Sequence, residues 1–209
     1  MDPDRYYLSL AAAYVRGRLG IEGEDAVVTE RGLQSGLRLH RFKRNAELPR
    51  VRRVIGILQG LGPSELLDVG SGRGTFLWPL LDALPGLPVT AVDADPERAS
   101  QLEATARGWP ALSARREDAC AISFVDDTFD GATALEVLEH LPEPSRAARE
   151  LARVVRRFVV ATVPSEPDDN PEHLQLFTPK TLEALLLDAG FARARIDAVR
   201  GHYVAVATK

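Results

Sequence analysis

The pattern of apolar and polar positions divides the chain into two regimes. Up to residue 61 the apolar residues fall at helical spacing. Tyr7, Leu8, Leu10, Ala11, Tyr14, Val15 and Leu19 predict a short amphipathic helix within residues 4–19. Val51, Val54, Ile55 and Leu58 predict another over 48–61, ended by Gly62-Pro63. Between them, residues 20–36 carry Gly20, Gly23, Gly32 and Gly36 and read as a loop. From Glu65 on, short apolar runs alternate with helical patterns. Strands are expected at 65–69, 88–92, 111–114, 129–135, 157–163, 192–198 and 202–208. Helices are expected at 74–84, 96–107, 143–155 and 179–189. The last has clear punctuation: Thr178 as N-cap, Pro179 as first helical residue, Gly190 just past the end.

Such alternation predicts an α/β fold, with a doubly wound, seven-stranded, mostly parallel sheet between helical layers (α/β/α). Arg200-Gly201-His202 joins the final two strands, which fits a C-terminal antiparallel hairpin. Residues 1–46 then form an N-terminal helix and lid segment, and 47–209 the α/β domain.

Composition narrows the class. With 45% hydrophobic and 27% charged residues over 209 positions, the chain has the make-up of an ordinary globular protein able to bury a core. Its net charge of −4 supplies no global positive field for nucleic acid. Cys120 is the only cysteine, which excludes an internal disulfide and a thiolate metal cluster. The acidic start, Met1-Asp2-Pro3-Asp4, differs from a signal peptide, and no apolar run is long enough to cross a bilayer. The expectation is a cytoplasmic protein with no membrane partner, its oligomeric state left open.

The most informative stretch is Leu66-Leu67-Asp68-Val69-Gly70-Ser71-Gly72-Arg73-Gly74. It reads as a buried strand followed by a glycine turn that opens a helix. Such turns let the backbone approach a ligand and aim helix N–H groups at it. A dinucleotide-binding turn wants Gly-x-Gly-x-x-Gly or Ala, but here the third glycine comes one residue early and Thr75 takes the sixth place. Asp68 would repel a pyrophosphate but suits a ligand with positive charge.

Asp-x-Gly-x-Gly-x-Gly resembles motif I of the class I S-adenosylmethionine-dependent methyltransferases, whose Rossmann-like fold binds a sulfonium donor. The resemblance spans roughly residues 50–209 and implies S-adenosylmethionine as cofactor, with Asp68, Gly70, Ser71 and Gly72 in the turn. Asp93 and Ala94 close the second strand, where an acid accepts the ribose hydroxyls. Asp118 and Ala119 are similar to the family's Gly-Asp-Ala segment, which meets the adenine; Glu117 replaces the frequent glycine.

The candidate chemistry lies in Glu136-Val137-Leu138-Glu139-His140-Leu141. On one helical turn, Glu136, Glu139 and His140 would share a face. Glu-x-x-Glu-His is similar to segments of metal-assisted O-methyltransferases of quinone biosynthesis and of small-RNA ribose 2′-O-methyltransferases. That likeness implies a divalent-metal set (Mg or Zn) of Glu136, Glu139, His140 and His173. The metal-free alternative gives His140 and Glu136 the catalytic roles, with Glu136 also near the cofactor. Methyl transfer is an in-line displacement; a hydroxyl acceptor needs a base and a carboxylate does not. The main expectation is transfer to a small-molecule hydroxyl or carboxylate. The alternatives are RNA ribose methylation and a non-catalytic cofactor-sensing domain. Two further segments stand out: the basic cluster Arg38, His40, Arg41, Lys43 and Arg44, offered to a carboxylate or anionic acceptor, and the long acidic loop Pro164–Phe177 with Glu166, Asp168, Asp169 and Glu172, offered as an acceptor wall.

Overall fold

The computed structural model describes residues 1–44, 48–167 and 169–209. The expected boundary between residues 46 and 47, and Asp168 of the acidic loop, lie outside the described residues.

Apolar runs become strands where both faces are covered. β1 (Leu66–Val69) and β4 (Phe129–Leu135) are buried almost throughout and sit side by side at the sheet centre. Around them lie β2 (Val89–Asp93), β3 (Leu112–Arg116), β5 (Val155–Pro164), β6 (Arg193–Val199) and β7 (His202–Thr208). Among the described residues these form one seven-stranded sheet in the order β3-β2-β1-β4-β5-β7-β6. β7 alone runs opposite to the other six strands, so the C-terminal hairpin turns back into the sheet as expected. Strand order reverses between β1 and β4, which opens a crevice at their carboxyl ends.

One core layer joins α3 (Pro49–Leu61), α4 (Leu77–Ala83) and α5 (Pro96–Arg107) to the sheet. The other joins α6 (Pro144–Val154) and α7 (Pro179–Asp188) to the opposite face. Local chemistry fixes the ends. The Asp95 carboxylate accepts from the N–H groups of Glu97 and Arg98 at 2.8 and 2.9 Å, which starts α5. Thr178 and Thr181 form a reciprocal capping box at α7.

Three expectations about helices change. Residues 20–36 are not all loop: α2 spans Asp25–Gln34. Gly23 and Gly36, with φ of +138° and +80°, bound it. Gly32 lies on its packed face, where a Cβ would come within 2.5 Å of Val15 Cγ2, so this glycine permits close packing and breaks nothing. The helix expected at 74–84 starts later, because Gly74 at φ +83° still belongs to the turn. The first helix, α1, runs Leu8–Leu19 and is buried over its central residues Leu10–Val15, so it is less one-sided than an amphipathic surface helix.

The N-terminal segment shares the core of the domain, with Tyr7, Leu10, Tyr14, Leu39 and Phe42 in the same apolar cluster as Leu58 and Trp78. Gly17 lets α1 cross α5 closely, since a Cβ there would fall 1.8 Å from the Ala104 carbonyl oxygen. Gly17→Ala is therefore expected to force the helices apart at a cost of about 1–3 kcal/mol, the scale of an overpacked core. Thermal unfolding measures it; an unchanged Tm would show that α1 is only loosely attached.

Candidate functional site

The glycine turn wraps the end of β1. Gly70, Gly72 and Gly74 all have positive φ, at +71°, +57° and +83°. A Cβ at Gly70 would lie 2.5 Å from Val137 Cγ2, so position 70 is closed to a side chain twice over. Asp68 is 2% exposed and buried beneath this turn. Its carboxylate accepts hydrogen bonds from Ser71 Oγ and Thr133 Oγ1, both at 2.7 Å. Burial pushes its pKa up to about 6; those two hydrogen bonds pull it down, and nearby Asp93 pushes it up.

Asp93, at the end of β2, stitches the turn to the next strand end. One carboxylate oxygen accepts from the Gly72 N–H at 2.8 Å and the other from the Asp95 N–H at 2.9 Å. Asp95, and not Asp93, is the N-cap of α5, leaving Asp93 facing the crevice with Ala94. Beyond β3, Asp118 accepts from the Cys120 N–H at 2.8 Å and shapes a tight loop that brings Ala119 to the same crevice. Glu117 latches that loop, accepting from Ser123 Oγ at 2.6 Å and pairing with Arg115 at 2.7 Å.

Two cavities follow from this arrangement. The larger, of about 530 Å³, is lined by Asp93, Ala94, Asp118 and Ala119 at one end and by Val137, His140, Leu141 and Leu174 at the other. The smaller, of about 210 Å³, lies under the glycine turn between Asp68, Ser71, Gly72, Arg50 and Arg73. Gly70, Arg98 and Glu136 line both.

Glu136 does not sit on a helical turn with Glu139 and His140, contrary to the spacing argument. It adopts φ +57°, an uncommon conformation for a non-glycine residue that costs about 1–3 kcal/mol. The surroundings hold it there. Its N–H donates to the Thr162 carbonyl at 3.0 Å, and its carboxylate takes a 2.8 Å hydrogen bond from Thr162 Oγ1 and faces His202 Nε2 at 2.9 Å. Arg50 Nε approaches to 3.9 Å. The chain then enters a short 3-10 turn, Leu138–His140, which turns Glu139 inward.

Among the described residues, the ligand atoms of Glu139, His140 and His173 lie within 4.8 Å of one another, and Glu136 is not part of that group. The His140 and His173 rings meet edge to face at 4.8 Å. The loop that carries His173 is strapped to the 3-10 turn. Leu174 N–H donates to the Glu139 carbonyl at 2.8 Å, and the Gln175 amide to the Leu141 carbonyl at 2.6 Å. His140 Nδ1 lies 3.0 Å from the Glu172 carbonyl, so the neutral ring carries its proton on Nδ1 and keeps Nε2 basic.

The basic cluster at 38–44 is directed elsewhere. Arg44 pairs with Asp82 at 2.8 Å and lies over Tyr7, while Arg41 bonds Gln101 and lies over Tyr14. Neither lines the two cavities. The cation that reaches the crevice from this part of the chain is Arg50, on the first turn of α3, which the sequence reading missed along with Thr133, Thr162 and His202. The two threonines carried a signal, since each is a fully buried hydroxyl between apolar strand neighbours. His202, in a hairpin, carried none.

A doubly wound sheet with a glycine turn and carboxylates at or near three successive strand ends is an arrangement suited to a nucleoside-bearing ligand at the topological switch point. The family described as "Methyltransferase domain" matches residues 67–159. Nocamycin O-methyltransferase of Saccharothrix syringae is 34% identical over 111 residues, 52% of this chain and 40% of that protein. A ubiquinone biosynthesis O-methyltransferase of Paracidovorax citrulli is 33% identical over 110 residues, 49% of this chain and 44% of the other. The chain thus spans less than half the length of these relatives. Among solved structures, a SAM-dependent methyltransferase from Aquifex aeolicus has the same fold, with a TM-score of 0.66 at 23% identity, covering 78% of this chain and 91% of that one. So does the [4+2]-cyclase SpnF, at 0.64 and 19%, covering 79% and 84%. Residues 67–159 are thus similar to a methyltransferase domain, and the fold around them is shared with a solved S-adenosylmethionine-dependent methyltransferase. No helix among the described residues is long and apolar enough to cross a membrane.

Proposed function

We propose that the chain moves a methyl group from S-adenosylmethionine to an oxygen of a small-molecule acceptor. The observation that carries this reading is the meeting of the two cavities at Gly70 and Glu136. The smaller suits the methionine end: Asp68 favours its positive charge, and Arg50 and Arg73 its carboxylate. The larger suits the adenosine, with Asp93 toward the ribose hydroxyls and Asp118 and Ala119 toward the adenine edge. The wall of Val137, His140, Leu141 and Leu174 is left for the acceptor.

In the reaction the sulfur–methyl bond breaks as the bond from the acceptor oxygen forms, and no covalent enzyme intermediate is needed. Alignment and exclusion of water are the protein's contributions. His140 Nε2 takes the proton of a hydroxyl acceptor; a carboxylate acceptor leaves it idle. The names of two relatives as O-methyltransferases support an oxygen acceptor.

A second reading has its own observation. Glu139, His140 and His173 offer one oxygen and two nitrogens in a compact group, and His140 donates its other ring N–H to a carbonyl, as metal-bound histidines do. A divalent ion held there would polarise the acceptor oxygen. RNA as acceptor fits less well with a net charge of −4 and a crevice rich in carboxylates.

One assay tests these readings together: release of S-adenosylhomocysteine with a panel of hydroxyl, carboxylate and amine acceptors and a short RNA, before and after exhaustive chelation. The expected result is release with a hydroxyl or carboxylate acceptor. Activity that survives chelation rules out the metal, and its loss in His140→Ala with a hydroxyl acceptor then assigns His140 as the base. Activity lost to chelation and restored by Mg²⁺ or Zn²⁺ assigns the three residues to a metal. Donor binding with no release across the panel would favour a cofactor-sensing domain, a live contrast because the fold also carries cyclase chemistry.

A further inference from the structure

Glu136 lines both cavities, and a histidine, an arginine and a hydroxyl surround its carboxylate. His202 Nε2, from β7, lies 2.9 Å from one oxygen; Thr162 Oγ1 and Arg50 Nε lie 2.8 and 3.9 Å from the other. His202 Nδ1 faces the Arg200 carbonyl at 3.3 Å. Each ring nitrogen of His202 thus faces an oxygen acceptor. The His202 and Arg50 side chains are only 21% and 19% exposed, so solvent screens these charges weakly.

If the donor binds as proposed above, its sulfur joins the methionine end in the small cavity to the adenosine in the large one. The sulfonium therefore lies at their shared boundary, beside Glu136. When the methyl leaves, the electron pair of the sulfur–carbon bond stays on sulfur, and the positive charge vanishes there. An uncompensated carboxylate at this place holds the charged donor more tightly than the transition state, which slows the reaction. We propose that His202 and Arg50 are positioning residues that offset the charge of Glu136 at the sulfonium. They keep the crevice from holding the donor too tightly relative to the transition state and the neutral thioether product.

S-adenosylmethionine and S-adenosylhomocysteine differ by one methyl group and one charge. The ratio of their affinities therefore cancels every shared contact, including that of Arg50 with the carboxylate. His202→Gln keeps an N–H donor but cannot carry charge. It is expected to raise the preference for the sulfonium roughly tenfold, the scale of one charge several ångströms away in a partly wet site, and to lower kcat. Arg50→Gln, on a separate element, should move the ratio the same way, and Glu136→Gln the opposite way. A merely structural role for His202 would weaken both ligands alike. Calorimetry on the four proteins decides. Should wild type bind neither ligand, the donor assignment fails and this inference with it. Should it bind both, with the ratio unmoved in His202→Gln and Arg50→Gln, this inference alone is overturned.

Discussion

Asp93→Ala is expected to lower the affinity for S-adenosylmethionine by at least a hundredfold and to destabilise the ligand-free protein as well. Both effects come from one carboxylate with two tasks. Its oxygens hold the Gly72 and Asp95 N–H groups at 2.8 and 2.9 Å, so it fixes the glycine turn relative to the end of β2. It also faces the larger cavity where a ribose would lie. Hydrogen bonds to a charged acceptor contribute about 1.5–3 kcal/mol each, and two lost ribose bonds exceed the 2.7 kcal/mol of roughly a hundredfold. The orphaned N–H groups add a stability cost of about 1–3 kcal/mol where water does not reach them. Asp93→Asn separates the two tasks. Its amide keeps one acceptor oxygen for the turn, so stability should recover more than affinity. Calorimetry with S-adenosylmethionine and with NAD, alongside thermal unfolding, reads both. Affinity unchanged in Asp93→Ala would place the donor outside this crevice.

The contrast between Asp93 and Glu136 shows what the chain makes legible. Asp68, Asp93 and Asp118 stood out because each lies at, next to or just past the end of a strand, and strand ends in a doubly wound sheet converge on one crevice. The apolar runs placed all seven strands to within a residue or two, and the Arg200-Gly201-His202 link marked the hairpin. Glu136, Glu139 and His140 were harder, because i, i+3, i+4 spacing implies a shared face only on a helix. Here Glu136 sits at φ +57° before a short 3-10 turn, so its side chain leaves the group and meets His202 from a strand 66 positions away. Spacing along the chain carries no information about such a partner. Gly32 failed for a related reason. A glycine that breaks a helix and one that lets two helices touch look alike in sequence, and only Val15 on the facing helix tells them apart. Arg50 was passed over for the denser cluster at 38–44, whose guanidiniums turn to Asp82 and Gln101 instead.

Asp68→Asn is expected to make the ligand-free protein more stable at neutral pH while weakening the donor's binding. Burial raises the carboxyl's pKa to about 6, against about 3.9 for an unfolded chain. The folded state therefore binds more protons than the unfolded state between about pH 4 and 6, and stability falls as pH rises through that window. A shift of about two units corresponds to about 3 kcal/mol of stability, present in full below about pH 4 and lost above about pH 6. An amide carries no such penalty and can still bond Ser71 and Thr133, whose hydroxyls reverse direction as needed. The wild type should thus lose stability from pH 4 to 7 relative to Asp68→Asn, which should be flatter over that range. The buried charge has its use in binding. A cationic donor above the turn favours the ionised form, so near pH 6 wild type should release protons on binding S-adenosylmethionine, and Asp68→Asn should not. Denaturant titrations across pH give the first quantity, and calorimetry in buffers of different ionisation enthalpy gives the second. A variant less stable than wild type at pH 8 would mean that hydrogen bonding outweighs desolvation at Asp68. Binding without proton release in wild type would mean that the donor's charge does not reach it.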